Sequence, residues 1–244
     1  MMRPGPPSLP HLLQAWEGGL EQGPAQRGLA LLGAACPGED AEALAALSIG
    51  ERDRRLLGLR AAVFGRAMTG VIDCPKCTER LEFPLDAQAL RMLPPAVDAP
   101  LSIEDGDWRV ALRLPDSTDL IAAAAAPAQA ADIVFARSVR MATHAGTPVA
   151  PGDLPAPLRA TAAERLAAAD PQADLRLGVT CAGCGHGWKA PFDIAAFLWA
   201  EIDAWAGRIL TEVHALAAAY GWAERDILAL SPARRRHYLR LVGA

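Results

Sequence analysis

Apolar positions along this chain recur in two rhythms, one of period 3.6 and one of period 2, and the switches between them divide it into three parts. From about Ser8 to Gly70 the rhythm is helical. Leu12, Leu13 and Trp16 share one face of a first helix that weakens at Gly18-Gly19. Gly23-Pro24 separates it from a second, holding Leu29, Leu31 and Leu32, which Cys36-Pro37-Gly38 breaks. A short helix around Ala41 to Leu47 follows. After Gly50 comes an amphipathic helix with Leu56, Leu57, Leu59, Val63 and Phe64 on its apolar side, and Glu51, Arg52, Asp53, Arg54 and Arg55 are expected mostly in solvent.

The middle part begins in period 2. Arg80 to Leu85 alternates as a strand does, and Asp105-Gly106 between Leu101–Ile103 and Trp108–Leu114 predicts a hairpin. Asp116 or Ser117 is placed to cap a helix, and Pro127 splits the alanine-rich run Ala122–Ala131 into two. Ile133, Val134, Val139 and Met141 are assigned to the second of these. The Gly/Pro-rich stretch Thr143–Pro157 is the best candidate for a mobile loop, and Arg159–Ala169 is helical.

The last part opens on strands at Leu175–Val179 and Trp188–Phe192. Asp193 then caps a long helix, about Ile194 to Tyr220, that Gly221 ends. Two short helices finish the chain, the last announced by Ser231-Pro232. The fold class that follows is α+β and mostly helical. It has a small antiparallel zinc-ribbon-like sheet between an N-terminal helical region (1–70) and C-terminal helices (193–244). Residues 71–192 supply the ribbon halves, with an insertion at about 87–174.

Cysteine changes the picture most. Four of the five cysteines form two Cys-x-x-Cys pairs, Cys74-Pro75-Lys76-Cys77 and Cys181-Ala182-Gly183-Cys184, separated by residues 78–180. Two such pairs, each between short extended segments, read as the halves of one four-thiolate zinc site. A redox dithiol would open a helix, and neither pair does. Disulfides are expected to be rare, because Met1–Pro10 lacks the apolar core of a signal peptide and points to a reducing cytosol. Closing a loop of about 100 residues costs roughly 4 kcal/mol before the constant term, whereas a structural zinc supplies roughly 10–16 kcal/mol. Gly185 suits the left-handed turn after the second pair, and Thr78 occupies the matching place after the first. Lys76, Arg80 and Lys189 are candidates to offset the thiolate charge. His186 is a rival ligand that lies two residues past Cys184 and is expected to point away.

Other chemistry is thin. Hydrophobic residues make up 52% of the chain, much of it alanine, and the net charge is −4. No apolar run is long enough to predict a membrane span. Four thiolates leave no open metal position for water, and neither a phosphate loop nor a catalytic triad pattern is present. Cys36 and His144 carry no constellation. Glu201 and Asp203 fit a solvated helix face, and His214 with Glu212 and Glu201 makes a poor second metal site. Arg234-Arg235-Arg236 with Tyr238 keeps a nucleic-acid-binding or regulatory zinc ribbon as the alternative. The acidic balance around the ribbon, with Glu79, Glu82 and Asp86, counts against it.

Several phrases resemble a known family. They are Phe192-Asp193-Ile194, Phe197 to Ile202, Glu212 to Ala217, Tyr220-Gly221-Trp222 and Ile227 to Arg235. Together with Leu47 to Asp53, Phe64-Gly65, both cysteine pairs, Arg113-Leu114-Pro115 and Asp119-Leu120, they are similar to baseplate hub assembly proteins or chaperones of the phage T4 type. That family serves contractile phage tails and phage-tail-like contractile injection systems. Ala223 stands where the family pattern suggests a capping Ser. The resemblance implies a non-enzymatic assembly factor or tail component whose partners are baseplate hub or spike proteins; with no signal or anchor segment read from the sequence it is expected in the bacterial cytoplasm, without small-molecule substrate or membrane and with nucleic acid only as the alternative. Trp16, Trp199, Trp205 and Trp222 are then candidate partner contacts, since aromatics concentrate at interface centres.

Overall fold

The computed structural model describes residues 7–92 and 101–243. Helices α1 (Leu9–Gly19), α2 (Pro24–Ala35), α3 (Ala41–Ala45) and α4 (Ile49–Phe64) come first. Their starts are set by side-chain caps: Ser8, Asp40 and Ser48 accept from His11, Ala43 and Glu51 backbone N–H groups. The hairpin β1 (Ala67–Asp73) and β2 (Arg80–Asp86) follows, so strand geometry begins inside the stretch expected to be helical.

The middle of the chain builds β3 (Ser102–Asp105), β4 (Trp108–Leu112), α5 (Ser117–Ala124), α6 (Ala130–Ser138), β5 (Val139–His144), β6 (Thr147–Pro148) and α7 (Ala156–Ala169). The four strands form one antiparallel sheet in that order. Ile103, Val110, Leu112 and Ala142 from the sheet pack with Leu154 and with Leu158 and Ala162 of α7 as a core of their own. The Asp-Gly hairpin and the Asp116 cap form as expected. Asp119 reciprocates the cap by accepting from the Asp116 N–H. Asp119 is fully buried and held by Arg113 and Arg137.

Two expectations fail here. Val139 and Met141 lie in β5 rather than a helix, because pairing with β4 overrides local propensity. The stretch Thr143–Pro157, read as a loop, holds the end of β5, then β6, a 3-10 turn and the start of α7. Ala145 and Gly146, both at positive φ, turn the chain into β6, and a 3-10 turn then leads to α7. His144 stacks on Trp108 with ring centroids 4.4 Å apart.

The hairpin β7 (Arg176–Thr180) and β8 (Gly187–Pro191) precedes α8 (Ile194–Tyr220), α9 (Glu224–Leu228) and α10 (Pro232–Leu241). Asp193 caps α8, and Gly221 ends it at φ 67°. Ala223 starts α9 without a side-chain cap. Over its length of about 40 Å, α8 serves two cores. Ile194, Leu198 and Ile202 pack against Leu31, Leu32 and the buried Leu56, Leu57 and Leu59 of α4. Ala206, Ile209, Val213 and Leu216 pack with Leu13, Ile227 and Leu239.

Charged residues brace this frame, some of them in the interior and others, such as Asp203, from the solvated face expected of them. Arg52 and Asp53 are buried as a pair, 2.7 Å apart. Burial pushes the Asp53 carboxyl up to about 6; Arg52 opposes the shift, and the nearby Asp193 and Asp170 carboxylates add to it. Arg60, 4% exposed, donates to both carboxylate oxygens of Glu201 on α8 and to the backbone carbonyls of Gly65 and Ala67. Asp203 accepts from the Trp16 indole N–H at 2.8 Å. Arg235 is buried and paired with Glu212.

Candidate metal centre

Helix α4 positions both cysteine turns. At its C-terminal end Arg60 fixes the carbonyls of Gly65 and Ala67, which lead directly into β1. At its N-terminal end the Gly50 N–H donates to the buried Asp170 carboxylate at 2.8 Å, on the segment that leads into β7. A Cβ on Gly50 would come 1.8 Å from Asp170 Oδ1, so the close approach requires glycine.

The two turns, residues 74–79 and 181–186, share one hydrogen-bond pattern. Cys74 N–H donates to Glu79 O and Cys181 N–H to His186 O; Thr78 N–H donates to Cys74 O and Gly185 N–H to Cys181 O. Gly185 has φ 69° and Thr78 φ 62°, the same left-handed conformation, adopted by threonine at a steric cost that glycine avoids. The expectation of a single ribbon sheet is corrected: β1–β2 and β7–β8 are separate two-stranded sheets that meet at their cysteine tips.

All four Sγ atoms, of Cys74, Cys77, Cys181 and Cys184, lie within 4.8 Å of one another. Across the turns Cys74 and Cys184 are 3.7 Å apart, and Cys77 and Cys181 3.6 Å. Sulfurs about 2.3 Å from a tetrahedral metal stand about 3.8 Å from each other, so the cluster fits a metal ion bound by four thiolates. Cys74 and Cys181 are buried, Cys184 is half-buried and Cys77 is exposed. Cys74 is lowered to about 7: burial opposes this, but backbone N–H groups of Cys77 and Lys76 and the Cys77 and Cys184 thiols outweigh it. Backbone hydrogen bonds also pull Cys77, Cys181 and Cys184 down, yet burial and neighbouring thiols leave all three raised. Four protonatable sulfurs this close cannot all carry charge alone, and a divalent cation resolves that conflict by displacing their protons.

The sequence reading counted Glu79 only toward the acidic balance around the ribbon. Its carboxylate crosses to the other turn, where the Cys181 thiol donates to Oε2 at 3.3 Å. Gly183 makes room, since a Cβ there would lie 1.9 Å from the same oxygen. The only signal in the sequence was a glycine inside the second pair. Arg80, expected to offset thiolate charge, instead pairs with Asp73. His186 is outside the sulfur cluster and stacks on Trp188. Cys36 is buried in the α2–α4 core.

The four tryptophans fall elsewhere. Trp199 is 8% exposed, lies against Gly19 and has the Arg27 guanidinium 4.6 Å from its ring, so it faces the core. Trp16 and Trp205 are half-buried between the two helical cores, and Trp222 stacks on Tyr220. No helix among the described residues is long and apolar enough to cross a membrane.

A family model described as T4 bacteriophage base plate protein matches residues 29–199. That span holds both cysteine turns, all of α4 and the whole sheet between them. No curated protein and no solved structure matches the chain.

Proposed function

The chain belongs to the T4 bacteriophage base plate protein family, and from that premise we propose that it is a zinc-stapled, non-enzymatic scaffold of the baseplate hub in a contractile tail or contractile injection system. Family membership gives the coarse role, a structural or assembly part of a phage baseplate that contacts other baseplate proteins. The finer reading rests on one observation: the convergence of four sulfurs from turns separated by residues 78–180.

A closed tetrahedral thiolate site has no position left for substrate or water. When bound, zinc supplies cross-linking rather than chemistry. Cys74, Cys77, Cys181 and Cys184 hold it, the left-handed turns at Thr78 and Gly185 aim the sulfurs, and Arg60 and Gly50 fix the hairpins to α4. The insertion and α8 are thereby locked in one arrangement, which is what a hub or spike subunit needs from a platform. Trp16, Trp205 and Trp222, with part of each ring still accessible, are offered as partner contacts in this reading.

The arginines at 234–236 lend the nucleic-acid alternative less than their number suggests, because Arg235 is an internal brace. Whether the protein stays in the particle or leaves as a chaperone is decided by a tag on the wild-type chain, probed in purified particles beside the variant. The gene is replaced by a tagged Cys74→Ser/Cys181→Ser version in a tail-producing host, and particles are imaged and probed for the tag. The proposal expects tubes and sheaths without closed baseplates. Normal particles from the double variant, or from a deletion, would rule it out.

A further inference from the structure

The family match stops at residue 199, while α8 continues to Tyr220 and α9 and α10 fold back onto it. This C-terminal unit has a core of Ala206, Ile209, Val213, Leu216, Ile227 and Leu239. Its last helix is basic, beside an α9 that carries Glu224 and Asp226. Helix α10 carries Arg234, Arg235, Arg236 and Arg240 and no acidic residue, on a protein of net charge −4.

Only Arg235 is neutralised, by Glu212. Arg234, Arg236 and Arg240 are exposed, and none has a carboxylate partner among the described residues. Arg236 and Arg240 are one helical turn apart, on one face. With Ala233 and Leu239 they line a depression of about 450 Å³. Leu241, 64% exposed, adds apolar surface to the same helix.

We propose that this face of α10 is a docking site for an acidic segment of another protein, one that seats an apolar side chain on Ala233 and Leu239 and sets carboxylates against Arg236 and Arg240. Charge complementarity argues for the carboxylates. The apolar floor argues for a peptide over a nucleic acid, whose phosphate backbone would leave it unfilled. Three arginines without carboxylate partners on an acidic chain also give only a small counterion-release gain to nucleic acid. The face is remote in sequence from the cysteine turns, so its failure would leave the metal scaffold standing.

The test uses the full chain and a fluorescein-labelled helical peptide of about twenty residues, in which a Leu is flanked by Glu one turn to either side. Controls are the same peptide with Gln for Glu and a single-stranded DNA of similar length. Saturable binding at about 50 mM salt is expected, falling with added salt. Arg236→Glu/Arg240→Glu should weaken it about tenfold or more, and Arg236→Lys/Arg240→Lys much less. The Gln peptide should bind as weakly as the charge-reversed variant. Absence of saturable binding, equal affinity for the Gln peptide, or tighter binding of the DNA would overturn the proposal. The Gln-peptide and salt arms decide the matter even if the reversed variant unfolds.

Discussion

Replacing Arg60 by Met and Glu201 by Gln should have unequal effects, although the two residues form one ion pair. Arg60 is buried, with its side chain 5% exposed, and it makes four hydrogen bonds: two to Glu201 and one each to the carbonyls of Gly65 and Ala67. Arg60→Met keeps much of the side-chain length and removes all four. Breaking a buried pair costs about 3–5 kcal/mol, and carbonyls left without a donor add to it. The Glu201 side chain is 28% exposed, so water can reach the carboxylate left behind. That discount places Arg60→Met at about 3 kcal/mol. Glu201→Gln leaves both carbonyls served and keeps an amide oxygen as acceptor, so it should cost only about 1 kcal/mol. Urea unfolding of metal-saturated protein measures both, read as a shift in midpoint at unchanged slope. Equal costs, or a larger cost for Glu201→Gln, would refute the idea that Arg60 braces the entry to β1 as well as α8.

Gly50→Ala should lower stability by about 2–3 kcal/mol, because its Cβ would displace Asp170 from the α4 N-terminus, whereas Gly18→Ala, with open space around it inside α1, should gain a few tenths to about 1 kcal/mol in thermal melts. Thr78→Gly should relieve its left-handed φ of 62° and stabilise the holo protein by up to about 1 kcal/mol; the swap Gly185→Thr should cost at least as much. The carboxyl of Asp53 is raised to about 6 from its ordinary value of 3.8, so its contribution to stability is fully present below about 4 and is lost as pH rises to 6. Asp53→Asn should therefore gain on the native protein by up to about 3 kcal/mol between pH 4 and pH 7, read as the difference in urea midpoints at each pH. A constant difference would contradict that assignment.

The local signals in the sequence carried far. Asp193 and Gly221 marked the two ends of α8, and Asp105-Gly106 marked its hairpin, because caps and turns are decided within a few residues. What stayed hidden was decided by tertiary contact. Val139 continues a helical run in sequence and becomes a strand only because β4 lies alongside. Ala145-Gly146 lacks the Asn or Asp that marks such a turn. Arg52, Asp53, Arg60, Glu201 and Arg235 carry charge, and an amphipathic reading sends charge to solvent. Burial of the four other than Glu201, which is half-buried, depends on partners on other elements or, for Arg52 and Asp53, on a neighbour in the same interior. The cysteine count and spacing picked out the four residues whose sulfurs the fold brings together. The separation of the two hairpins had no sequence pattern to reveal it, and the reach of Glu79 across to Cys181 left only Gly183 as a trace.

The central claim is one metal ion held by four sulfurs drawn from both ends of the middle segment. X-ray absorption at the zinc edge, on protein purified without added metal and with its metal content quantified, tests it most directly. The account predicts one zinc per chain with a single shell of four sulfurs at about 2.3 Å, lost together with the folded state in the Cys74→Ser/Cys181→Ser variant. A folded protein that carries no metal and four freely reactive thiols, or a zinc with nitrogen or oxygen ligands in its first shell, would contradict it.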